Sequence, residues 1–193
     1  MSTKVNHRSW LLVGSLFGIL GGCHRTHGQS SVISVREYVP PPQVPSIIRV
    51  PAGQTVLLKA LGKGVQIYNC KARADDPSKF EWSFKAPEAN LTNEHGEKIA
   101  KHYAGPTWEA NDGSKVVGEK KAETPAPRPG AVPWLLLKAK TNEGTGTFAR
   151  VTYIQRVDTE GGVAPAAGCD QAHVNTEARV DYRANYYFYV PQR

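Results

Sequence analysis

The stretch "ARVDYRANYYFYV", residues 178–190, decides the fold class. Val180, Tyr182, Ala184, Tyr186, Phe188 and Val190 occupy alternate positions, and Asp181, Arg183, Asn185, Tyr187 and Tyr189 fall between them. A period of two places successive side chains on opposite faces of an extended chain, whereas a helix would scatter these aromatics around its circumference. Aromatic and β-branched residues also suit a pleated, half-buried surface. The stretch reads as a strand with one apolar face and one mixed face.

The same alternation recurs outward from it, in short runs bounded by turn residues. "ARVTYIQRV" (149–157) is the second strong strand, and "FEWSF" (80–84) sets Phe80, Trp82 and Phe84 against Glu81 and Ser83. "TVLLKAL" (55–61) puts Val56, Leu58 and Ala60 on one face, and "VQIYNCKA" (65–72) follows across "GKG", which reads as a hairpin-like junction. "EANLT" turns at "NEHG" into "EKIAKHY", and "PTWEA" turns at "NDGS" into "KVVGEKK". "PWLLLKA" (133–139) is either a buried strand or one helical turn. About eight such runs predict an all-β fold, a single antiparallel sandwich or barrel with long loops. Eighteen glycines and fourteen prolines against one methionine agree with that. A chain of 193 residues, 40% hydrophobic, is one domain's worth and can bury a core.

The N-terminal region reads differently. Lys4, His7 and Arg8 make a basic start, and residues 10–20 form an apolar run of eleven, short of the roughly 20 a spanning helix needs. The run ends in "LGGC", which resembles the lipobox of bacterial lipoprotein signals: Leu20, two small residues, then the thiol of Cys23 that receives lipid. The alternative is an ordinary cleaved signal peptide. Either way the mature protein is expected to be exported, and lipid on Cys23 would hold it on a membrane of the cell envelope, facing the periplasm or the exterior. The expected organisation is a signal peptide over 1–22, a tether over 23–46 that ends in "EYVPPPQVPS", and the all-β domain over 47–193.

The formal charge is +7, with Lys4 and Arg8 in the leader, and the basic residues are interspersed with acidic ones. Such a surface suits weak attraction to anionic envelope surfaces, and the clustering a nucleic-acid patch needs is missing from the sequence. With Cys23 committed to lipid, Cys70 and Cys169 remain, either bridged or as two buried free thiols; neither has a second ligand at metal-site spacing.

The densest chemistry lies in "HYAGPTWEANDGS" (102–114). His102 as a general base oriented by Glu109 or Asp112 would make an envelope hydrolase. The competing reading is scaffold, with Trp108 in the core and "NDGS" as a tight hairpin. His95 and His173 fall in turns, His24 and His27 in the tether, and no HExxH spacing or GxSxG occurs. "EGTGTF" and "TEGGVAP" lack the lysine of a phosphate loop and read as sheet turns. Trp108, Tyr187 and Tyr189 are the candidate ligand-binding aromatics: rings on one sheet face bind sugars or flat apolar ligands, and equally serve as the cover beneath a loop.

Taken together, "GVQIYNC", "HYAGPTWEANDGSKVVG", "VPWLLLKA", "GTFARVTYIQRVDTEGGVAPAAGC" and "YRANYYFY" resemble a family of exported bacterial and fungal proteins described as a domain of unknown function. The match runs from about Val50 to the end, in order. It implies a secreted or envelope-bound single domain and carries over no catalytic residue. The expectation is thus a non-catalytic envelope module, structural or binding a small molecule or glycan, without cofactor, metal or nucleic acid; the hydrolase using His102 is the alternative.

Overall fold

A computed structural model describes residues 39–193. The stretch read above as a signal peptide, with Cys23, His24 and His27, lies outside the described residues. In chain order the strands are β1 (Gln54–Ala72), β2 (Phe80–Thr92), β3 (Lys98–Tyr103), β4 (Thr107–Ala110), β5 (Lys115–Thr124), β6 (Trp134–Glu143), β7 (Tyr153–Gly161) and β8 (Glu177–Pro191). Each pairs antiparallel with its chain neighbours, and β8 returns to pair with β1. One sheet therefore closes into a ring, and closure rather than the stacking of two sheets buries the inner face. Closure also removes the free edges on which other strands could add.

The alternation of 178–190 holds. Tyr182, Ala184, Tyr186 and Phe188 belong to the inner core with Trp108, Leu91, Leu137, Phe148 and Ile154. Large rings face small residues across the ladders: Ala60 opposes Tyr186, and Ala89 opposes His102. Such size alternation lets a small closed sheet fill its interior without strain. "PWLLLKA" resolves as strand, within β6. Both predicted hairpin turns are present, with Gly96 and Gly113 at positive φ.

Three local expectations are corrected. "GKG" is not a junction: β1 runs straight through it, paired with β2 on one side and β8 on the other. The glycines serve close packing instead. A Cβ on Gly62 would come 2.6 Å from the Tyr186 ring, and one on Gly64 would come 2.1 Å from the Glu88 carbonyl oxygen. Secondly, Val56 does not share a face with Leu58 and Ala60. The register slips at this point, Val56 opposing Tyr189 and Leu58 opposing Phe188, so a bulge sends Val56 outward. Thirdly, "FEWSF" and "EANLT" are one strand, β2, with a register slip opposite Ile67 and Tyr68.

The outer face carries a second apolar cluster. Tyr187 and Tyr189 pack there with Leu136, Val157 and Ile48, and with Val39, Val44 and Val50 around them. The cover is the chain before β1, including the 3-10 turn Ser46–Ile48. Gln155 ties it down, its Nε2 donating to the Ile48 carbonyl at 2.6 Å while its Oε1 accepts from the Tyr189 hydroxyl. Within the proline-rich run, Val39 and Val44 pack against this cluster. Cys70 and Cys169 form a disulfide, and Trp82 donates to the Ala167 carbonyl, so the β7–β8 connection is fastened to β1 and β2. Among the described residues no helix is long and apolar enough to cross a membrane.

Candidate functional site

The β3–β4 hairpin puts His102 directly opposite Trp108, both facing inward. The two rings stack, with centroids 4.3 Å apart and planes at 6°, and Tyr186 meets both edge-on. His102 is 3% exposed. Its Nδ1 lies 2.9 Å from the Thr107 carbonyl oxygen. A carbonyl accepts only, so Nδ1 carries a proton, and burial keeps the ring neutral. Burial lowers the pKa to about 3, with the Thr107 carbonyl opposing and the Arg156 charge adding.

The carboxylates expected to orient His102 lie elsewhere. Glu109 follows Trp108 and so points to the opposite face, opposite Lys101. It accepts from the Tyr103 hydroxyl at 2.7 Å and pairs with Lys101 at 3.1 Å, and these partners hold its carboxyl below the usual range. Asp112 sits in the β4–β5 turn and accepts from Ser114 N and Oγ and from Thr147 N and Oγ1, at 2.5 to 2.9 Å. Those donors depress its pKa strongly. It is a staple between that turn and the β6–β7 connection. His102 thus has neither Glu109 nor Asp112 as a partner. Tyr187 and Tyr189, the other candidates, are only 7% and 3% exposed under the outer cover. They offer no open platform.

What His102 and Trp108 do share is a cavity of about 320 Å³. Every strand contributes to its wall: Gln66 from β1, Phe84 and Pro87 from β2, His102, Trp108, Lys120 from β5, Leu135 and Leu137 from β6, Arg156 from β7 and Tyr186 from β8. The β3–β4 turn adds Gly105 and Pro106. This is the lumen of the closed sheet, a common location for a small-ligand site. Phe84, 54% exposed, is where the apolar wall reaches solvent. Of these residues the sequence had singled out only His102 and Trp108 as site candidates. Arg156 carried a signal, because it lies in phase with the inward Ile154 of "TYIQRV", and a charge at an inward register position of a small ring needs a reason. Gln66 and Tyr186 carried none, being one more residue in an alternating strand.

Among the described residues no group of three or more His, Cys, Asp or Glu side chains is placed to hold a metal. The architecture is that of a closed eight-stranded antiparallel domain with a ligand-sized, mainly apolar lumen. The chain belongs to the family described as protein of unknown function (DUF3455), whose model matches residues 51–190. No curated protein and no solved structure matches the chain.

Proposed function

We propose that the protein is an exported envelope lipoprotein, anchored through Cys23, whose domain binds a small molecule in the lumen of its closed sheet without transforming it. The observation that carries the binding half is the cavity walled by all eight strands, at about 320 Å³ within the range of small-ligand sites. A void of that size lined by Leu135, Leu137, Pro87 and Phe84 forgoes the close packing that stabilises a core, which makes sense where a ligand completes it. The non-catalytic half is supported by His102, whose low pKa and missing carboxylate partner are ill suited to general base work. A glycan is the less favoured ligand, because Tyr187 and Tyr189 are covered and the lumen wall is mainly apolar. Anchoring is supported by "LGGC" behind a short apolar run.

Two measurements test this reading. A thermal-shift panel of small metabolites should raise the melting temperature of the wild type, and Leu135→Trp, which fills the lumen from its half-buried wall, should abolish the response while staying folded. Hits that persist in Leu135→Trp would move the site elsewhere. For the anchor, wild type should partition into detergent and Cys23→Ala into water; both remaining in water would replace lipidation by simple secretion.

A further inference from the structure

The lumen is not electrically neutral. Three of its wall residues carry a full charge, Lys85, Lys120 and Arg156, and all three are cations. The two lysines are satisfied near the surface, Lys85 by Glu177 at 2.5 Å and Lys120 by Glu123 at 2.8 Å. Arg156 is not. The arginine–carboxylate pairs among the described residues are at Arg73, Arg128, Arg179 and Arg183. Arg156 donates from Nε and Nη2 to the Pro133 carbonyl at 3.3 and 2.9 Å, and its other polar neighbour is the neutral Tyr186 hydroxyl, so no carboxylate balances its charge.

Its position in the ladder fixes where that charge is felt. On one side Arg156 opposes Leu135 and on the other Tyr186, both of them wall residues. Burial dominates the titration of Tyr68, His102, Tyr182 and Tyr186, and the Arg156 charge is among the further causes at all four. Two more wall residues hold unused donors: the Gln66 side-chain amide nitrogen and the Trp108 indole nitrogen are buried without a hydrogen-bond partner. Arg156, half-buried against apolar and aromatic walls, has no carboxylate partner among the described residues, so its charge is left without a counter-charge. A carboxylate relieves it best, since its two oxygens match the planar fork of an arginine.

Building on the lumen as the binding site, we propose that its ligand is a small carboxylate with an apolar body of one or two rings, the carboxylate read by Arg156 and the body held against Leu135, Leu137, Pro87 and the Trp108–Tyr186 corner. The rim lysines Lys85 and Lys120 add attraction for anions on approach, which is an effect on encounter rather than on the seated contact.

The test compares 1-naphthylacetate with 1-naphthylacetamide, two probes of matching shape that differ in charge, by calorimetry on the mature chain. The acid should bind at least 10-fold more tightly than the amide to the wild type. In Arg156→Met that preference should vanish while amide affinity changes less than threefold, and Arg156→Lys should retain part of it. Equal binding of acid and amide to the wild type overturns the anion inference and leaves the lumen as the site. Failure of both probes and of the metabolite panel removes the lumen reading itself. A preference that survives in Arg156→Met assigns the charge contact to another residue and defeats the proposal as stated. Should that variant not fold, the wild-type comparison decides.

Discussion

At the scale of single residues, His102 and Trp108 divide the work differently from the way their chemistry first suggests. Trp108 is 1% exposed and touches His102, Tyr186 and Phe188, so it is core as much as cavity wall. Trp108→Ala should cost about 3 to 5 kcal/mol by urea unfolding. His102 adds a pH dependence. The unfolded imidazole takes its proton near 6.5, and the folded one not until about 3. Between those values the unfolded chain binds the extra proton, so stability is complete above 6.5 and is lost as pH falls, by about 1.4 kcal/mol per pH unit at most. In His102→Phe, which keeps the stack, the acid limb of stability should be shallower by about one proton. An unchanged slope would mean that the wild-type ring titrates freely.

At the scale of elements, the glycines of this sequence perform two unlike tasks, and a one-dimensional reading cannot separate them. Gly113 in "NDGS" has φ +82 with open space around it, and its turn was legible because Asn, Asp and Gly demand that geometry. Gly64 in "GKG" looks like the same signal, yet it lies mid-strand where a neighbouring backbone comes too close for any Cβ. Gly113→Ala should therefore cost about 1 kcal/mol through backbone strain alone. Gly64→Ala should cost about 3 kcal/mol, the upper end of overpacking penalties, because Glu88 and Ala89 must move. Chemical denaturation of the pair orders them, and a Gly64→Ala protein as stable as Gly113→Ala would place β1 in a different register.

The Asp112 staple belongs to the same scale, since it joins a hairpin to the connection that follows β6. Its carboxyl is depressed by the hydroxyls of Ser114 and Thr147 and by their amides, so it stabilises above its ordinary pKa near 3.8, and the benefit drains away as pH falls below that value. Asp112→Asn should lower the melting temperature at pH 7 and differ progressively less from wild type below pH 4. The sequence did offer Asp112 as a candidate, but as a partner for His102. Spacing along the chain brought it near; the alternation of β4 and the turn after it carried it away. β8 was legible because its two faces differ in composition. The outer cover was not, because Val39, Val44 and Ile48 acquire meaning only once Tyr187 and Tyr189 are known to need covering.

For the whole molecule, the decisive contact is the one between the first and last strands. Seven of the eight strand pairings join neighbours in the chain, and only β1 with β8 closes the ring. That seam spans from Gln54 opposite Pro191 to Asn69 opposite Glu177, and the backbones of Cys70, Asn175 and Thr176 continue its hydrogen bonding. The Cys70–Cys169 disulfide sits just beyond the last ladder pair, joining residues 99 positions apart in the chain. Cross-linking so long a loop restrains the unfolded chain, about 4 to 5 kcal/mol in the chain-entropy model. The location adds a local consequence, because the ring opens most readily where closure depends on residues farthest apart in sequence. Cys70→Ser/Cys169→Ser should thus lose about 4 to 5 kcal/mol in unfolding free energy and, under native conditions, exchange amide hydrogens faster in β1 and β8 near the bridge than in β4 and β5. Uniform acceleration along all strands would confine the disulfide to its effect on the unfolded state. If the seam loosens first, the lumen it encloses should loosen with it, and acid-over-amide discrimination should weaken in the same variant through Tyr186, the wall residue that β8 contributes opposite Ala60 of β1.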